Sequence, residues 1–165
     1  MRNLKVKETV ILAMLTLVAL GLSYLEGLIP PLTAIPGIKI GLANIAVIFT
    51  LYKLNFKSAS TVSLMRVFIS FLLFGSVLSL AYSFAGALVS VTVMAIMKRS
   101  ENFSTVGVSC AGAISHNVAQ ILVAAVILGT SEIIFYLPVL VISAVISGIF
   151  IGFAGSLLVS KVNIK

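Results

Sequence analysis

Residues 106–129 read VGVSCAGAISHNVAQILVAAVILG, an almost unbroken apolar run that carries Ser115, His116, Asn117 and Gln120. His116 is the only histidine in the chain. At about 100° per residue, Ser109, Gly112, Ala113, His116, Asn117, Gln120 and Ala124 fall within one arc of roughly a third of a helix. Ile114, Val118, Ile121, Leu122 and Ala125 lie opposite. One face is small and polar and the other is greasy. A helix of this kind turns its greasy side to lipid and its polar side to a cavity, so the rest of the chain is expected to form the box around that polar face.

Composition agrees with such a box. Hydrophobic residues make up 61% of the chain and charged residues 9%, against about 25% charged in soluble domains. This is the balance of an integral membrane protein, and 165 residues leave room for a single membrane domain over residues 1–165. There is no Asp, and the only acids are Glu8, Glu26, Glu101 and Glu132. A single cysteine, Cys110, excludes an internal disulfide and a multi-cysteine metal site. One His without Asp offers no metal site either, and no residues call for a cofactor. The net charge of +7 is spread singly and in pairs along the chain, which marks topology rather than a nucleic-acid surface. The basic start, residues 1–7, precedes an apolar stretch too long for a signal peptide and without a clear small-x-small cleavage site, so it reads as the first retained span.

A span needs about 20 apolar residues to cross hydrocarbon of ~30 Å. Six are read, over residues 9–29, 38–54, 58–74, 77–97, 104–128 and 133–159. Pro30, Pro31 and Pro36 break the chain after the first. Gly75-Ser76 turns it between the third and fourth, and Pro138 lies near the start of the sixth. The expected fold is an all-α bundle of six transmembrane helices. Six spans place both termini on one side, with Arg2, Lys5, Lys7, Lys53, Lys57, Lys98, Arg99, Lys161 and Lys165. Those are nine of the 11 basic residues, so that side is cytoplasmic by the positive-inside rule and the protein is multi-pass in the cell membrane. Gly148 and Gly152 form a small-xxx-small pattern that lets helices approach closely within the bundle.

The two remaining basic residues, Lys39 and Arg66, lie at or within spans. An ionisable residue inside a span is costly and is a functional candidate by default. Counting ~1.5 Å per residue, Arg66 sits near mid-membrane, and Glu26, Lys39, Asn44, His116, Asn117 and Gln120 fall in the outer half of the bundle. Four helices thus contribute seven polar side chains to one candidate cavity open to the outside. Each residue has a plainer role as well. Arg66 can neutralise Glu26, Lys39 can snorkel to headgroups, and Asn44 and Asn117 can be interhelical hydrogen-bond glue. Gln120, one turn from His116, can be its partner. The chain carries no Walker A loop. A Ser-His-Asp triad is excluded without Asp.

Four segments carry a family likeness. They are Glu26-Gly-Leu-Ile-Pro30-Pro31, the run PGIKIGLANI over residues 36–45, Leu64-Met-Arg66-Val, and GAISHNVAQ over residues 112–120. Together they resemble the Gx transporter family, also catalogued as heptaprenyl diphosphate synthase component I. That family is similar to the six-helix substrate-binding S components of energy-coupling-factor transporters. The resemblance implies uptake of a small micronutrient or cofactor precursor. This chain would supply the binding site, and a coupling membrane subunit and cytoplasmic ATPases would be its partners. Arg66 and Lys39 would attract an anionic or electron-rich group, and Asn44, His116, Asn117 and Gln120 would supply hydrogen bonds. S components present an Ala-x-x-x-Ala pattern on the first helix for docking; here Ala13, Thr16 and Ala19 make that surface small but at a different spacing. The enzymatic name implies instead a membrane accessory of polyprenyl diphosphate or quinone metabolism. Catalysis by the chain itself is not expected, because magnesium-diphosphate chemistry wants carboxylate clusters and Asp is absent.

Overall fold

Serine and asparagine set three of the helix starts. Asn55 accepts from the Ser58 amide at 2.9 Å and opens α3, Phe56–Phe74. Ser76 and Ser79 form a reciprocal capping box at the start of α4, Val77–Arg99. Ser104 accepts from the Gly107 amide to open α5, Thr105–Leu128. Each cap supplies a partner for an amide that the helix itself leaves unbonded. Before these come α1, Arg2–Leu28, and a short α2, Asn44–Lys53. A 3-10 turn, Glu132–Tyr136, leads into α6, Leu137–Lys161, with Pro138 in its first turn where no amide is missed. The computed structural model describes residues 2–28 and 40–163, and all regular structure among them is helical.

Five segments are long and apolar enough to cross a membrane: Val6–Leu28, Phe56–Leu73, Val77–Arg99, Thr105–Leu128 and Glu132–Lys161. Their outer surfaces are greasy. Val126 is 82% exposed and Phe150 69% exposed, a coat that suits lipid and not water. The second expected span, 38–54, is different. Residues 40–43 are not helical and only ten residues, Asn44–Lys53, form α2. That is about 15 Å of helix, half a crossing. The break has a backbone cause: Gly41 has φ +78°, a conformation that ends regular helix and that glycine adopts without strain.

This half-length helix is the centre of the molecule. Ala46 through Leu51 are all buried. Val47, Ile48 and Leu51 join Ala59 of α3, Val91 and Met94 of α4, Val108 of α5 and Ile151 of α6 in one core. A helix that is apolar all round belongs inside. Its one polar core residue, Thr50, satisfies its hydroxyl on the Ala46 carbonyl at 2.7 Å. Lys98, at the end of α4, donates to the Leu51 carbonyl at 2.6 Å and lies over the Tyr52 ring at 5.0 Å. Lys53 reaches Asn163, just past α6, at 3.4 Å. The C-terminal ends of α2, α4 and α6 therefore share one end of the bundle.

The long helices pack around α2 in the order α1, α3, α4, α5, α6, with α2 touching α1, α3 and α6. The α5–α6 seam is antiparallel and very close. A methyl group on Gly148 would lie 2.7 Å from Cys110 Cα, and one on Gly152 would lie 2.6 Å from Val106 Cα. The small-xxx-small pattern thus serves packing within the chain. The small face of α1 is also used internally. Thr16 and Ala19 are buried, and Ala19 sits with Ala43, Ala46 and Val62. Only Ala13 of the three stays exposed. On α5, the face opposite the polar arc is only partly free: Leu122 is exposed, but Ile121 is buried because α4 and α6 grip the helix from both sides.

Candidate functional site

The start of α2 has no side-chain cap of its own; Ala43 occupies that position. The turn that leads into it is held instead by a residue 15 positions before Gly41. Glu26, near the end of α1, accepts from the Gly41 amide at 2.8 Å with one carboxylate oxygen and from the Leu42 amide at 3.0 Å with the other. A carboxylate here satisfies two exposed donors and answers the positive end of the α2 dipole. The irregular turn at residues 40–43 and the acid on α1 are thus two halves of one device. It holds the first helical residue, Asn44, at the wall of a cavity.

That cavity lies where the middle of α5 faces α2, α3 and α6. It encloses about 70 Å³ and is lined by Glu26, Asn44, Arg66, His116, Asn117 and Gln120, among others. These are six of the seven residues expected from the sequence; Lys39 lies outside the described residues. The polar arc of α5 maps onto the same wall through Ser109, Gly112 and Ala113, and α6 adds Ser147.

The side chains are committed to different degrees. Asn117 donates its amide to the Leu140 carbonyl at 2.9 Å, tying α5 to α6, so the interhelical role read for it is present. Glu26 spends both oxygens on backbone. Arg66 does not form a contact ion pair with it; the Glu26 charge acts on the guanidinium through space. Arg66 donates through one Nη to the Ser23 hydroxyl at 3.3 Å, while its Nε is sealed and unpartnered. The side-chain amides of Asn44 and Gln120 line the cavity without a hydrogen bond to another described residue. Gly86 of α4 sets how close the wall comes. A methyl group there would lie 2.9 Å from Gln120 Cγ and 3.0 Å from His116 Cε1.

Arg66, His116 and Gln120 also face a second, larger chamber of about 490 Å³. Its walls are the C-terminal halves of α1 and α3, the first two turns of α4, and α5. Ser23, Tyr24, Ser70, Tyr82 and Ser83 supply hydroxyls, and Phe71 and Leu80 supply apolar surface. The chamber extends from the Arg66 neck towards the Gly75 turn. The sequence reading left α4 out of the site. Its signal was faint: Ser79, Tyr82 and Ser83 share one face at helical spacing, but isolated hydroxyls are ordinary in apolar helices, where they bond back to their own turn. No group of His, Cys and acidic residues that could hold a metal ion occurs among the described residues.

A membrane-type helical bundle with a two-chambered polar cavity at its centre is the class that fold and site define. A family model described as heptaprenyl diphosphate synthase component I matches residues 15–158, and the chain belongs to that family. No curated protein and no solved structure matches it.

Proposed function

We propose that this chain is the substrate-binding membrane subunit of an importer for a small micronutrient or cofactor precursor, similar to the S components of energy-coupling-factor transporters. One observation carries the reading: a ring of polar residues from four separate helices around an internal cavity, with an arginine whose hydrogen-bonding capacity the protein does not use up. Polar groups are expensive in a membrane and persist there where a pathway or a ligand needs them. Glu26, Lys39, Asn44, Arg66, His116, Asn117 and Gln120 form the binding set. Glu26 acts by holding the α2 entrance in place, and Arg66 and the free amides act by contact.

The chain lies in the cell membrane with both termini cytoplasmic. In this reading α2, which ends at the basic end, is counted as one of six passes. The chain carries out no catalysis; a coupling membrane subunit and cytoplasmic ATPases supply the work. A second reading draws on the family's printed description, which names one component of a synthase and so implies another component. Here the protein is a non-catalytic membrane accessory of polyprenyl diphosphate or quinone metabolism, and the apolar walls of the larger chamber hold an isoprenoid.

Affinity isolation of the full chain from the membranes of its own host separates the two. Stoichiometric recovery of ATP-binding subunits with a coupling membrane protein is the expected result. Recovery of a prenyl-transferring subunit in their place overturns the importer reading in favour of the second.

A further inference from the structure

The central helix brings Asn44 and Ile48 to the wall of the inner chamber, yet it carries little of its own that fixes where they stand. Its core contacts are apolar. Apolar contact is non-directional, so it keeps a helix inside the bundle without settling its register. Thr50 bonds back to its own turn at Ala46, and the Asn44 amide lines the cavity without a hydrogen bond to another described residue. Among the described residues, three polar ties reach α2 or its leading turn from elsewhere in the chain. Glu26 holds the Gly41 and Leu42 amides before the first turn. Lys53 meets Asn163 at 3.4 Å in an exposed contact. Lys98, half-buried near the end of α4, donates to the Leu51 carbonyl at 2.6 Å with its ammonium 5.0 Å from the centre of the Tyr52 ring.

The Lys98 tie has the sense the helix needs. The last four carbonyls of a helix have no partner within it. The Leu54 amide takes the Thr50 carbonyl at 2.9 Å, and Lys98 takes that of Leu51. A cation there answers the negative end of the α2 dipole, as Glu26 answers the positive end. The helix is thus held between an anion from α1 and a cation from α4. We infer that Lys98 is a positioning residue of the binding site: it fixes the register of α2 from the far end and so sets where Asn44 and Ile48 meet the cavity. The inference rests on the binding-subunit reading for the role of that cavity. Lys98 itself lines neither chamber, and the carbonyl it holds lies seven residues, about 10 Å, along α2 from Asn44.

Hydrogen exchange read by mass spectrometry on the purified full chain in detergent, with no small molecule added, tests the inference apart from ligand binding. In Lys98→Met, exchange rises about tenfold along the whole of residues 41–53, the cavity end included, while residues 108–120 of α5 and 144–155 of α6 keep their protection. Lys98→Arg, which keeps the charge and the donors, exchanges like wild type. Lys98→Gln, which keeps a shorter donor and loses the charge, shows the same pattern with a smaller rise and serves where Lys98→Met does not fold. A rise confined to residues 51–54 makes Lys98 a local cap and overturns the inference. An equal rise in every helix, or none, overturns it too. Failure of the binding-subunit reading shows elsewhere, as the absence of a bound small molecule, and leaves these exchange patterns as they are.

Discussion

Glu26 combines two roles that the sequence could not separate. Its position one turn from the end of an apolar helix marked it as a site residue, and it does line the cavity. Its carboxylate, however, holds the Gly41 and Leu42 amides in the turn that leads into α2. Replacement by Ala leaves the Gly41 and Leu42 amides without acceptors, and unfolding in detergent should show a loss of about 1–3 kcal/mol, with Glu26→Gln losing less. Stability equal to wild type in both variants would contradict this anchoring role. Gly86 is the converse case, a position no sequence pattern marked. A methyl group there would lie 2.9 Å from Gln120 Cγ and 3.0 Å from His116 Cε1, inside van der Waals contact, so those side chains must shift. Gly86→Ala should therefore reduce the amount of ligand that co-purifies while costing only about 1 kcal/mol in stability. Rare polar residues in greasy helices were legible as a site because each one is costly. The hydroxyls of Ser23, Tyr82 and Ser83 were not, because serine and tyrosine occur in such helices for many reasons.

At the scale of elements, hydropathy and turn residues located α1, α3, α4, α5 and α6 to within a few positions at most ends, α1 starting earlier. They misjudged α2. An apolar run over residues 38–54 looks the same to a hydropathy count whether lipid or protein surrounds it. What sets α2 apart is the positive φ of Gly41 just before it and the fact that other helices of the bundle, not lipid, cover it. The seam between α5 and α6 tests how tightly those neighbours are set. Gly148 and Gly152 have backbone atoms of α5 within 2.7 Å of where a side chain would begin, whereas Gly21 of α1 has nothing within 4 Å. Gly148→Val should destabilise the bundle by about 1–3 kcal/mol or prevent its assembly. Gly21→Ala should leave it unchanged or raise stability by up to about 1 kcal/mol through helix propensity. Equal effects in thermal unfolding would mean that the seam is not tightly packed.

For the whole molecule, the basic residues cluster where α2, α4 and α6 end: Lys53, Lys98, Arg99 and Lys161. The apolar coat and five membrane-length helices agree with a multi-pass protein. The proposed orientation puts this basic end in the cytoplasm. In a Cys110→Ser background, the thiol of Asn163→Cys should resist an impermeant maleimide on intact cells, and that of Val77→Cys, at the opposite end, should react. The reverse pattern would invert the topology and turn the larger chamber towards the cytoplasm. The central claim is that the cavity holds a small molecule through Arg66. Native mass spectrometry of the detergent-purified full chain, followed by denaturing extraction, tests it most directly. The account predicts a stoichiometric small anionic ligand on the wild-type protein that is lost from a folded Arg66→Gln variant. The same bound species on both proteins, or a polyprenyl lipid in its place, would contradict it.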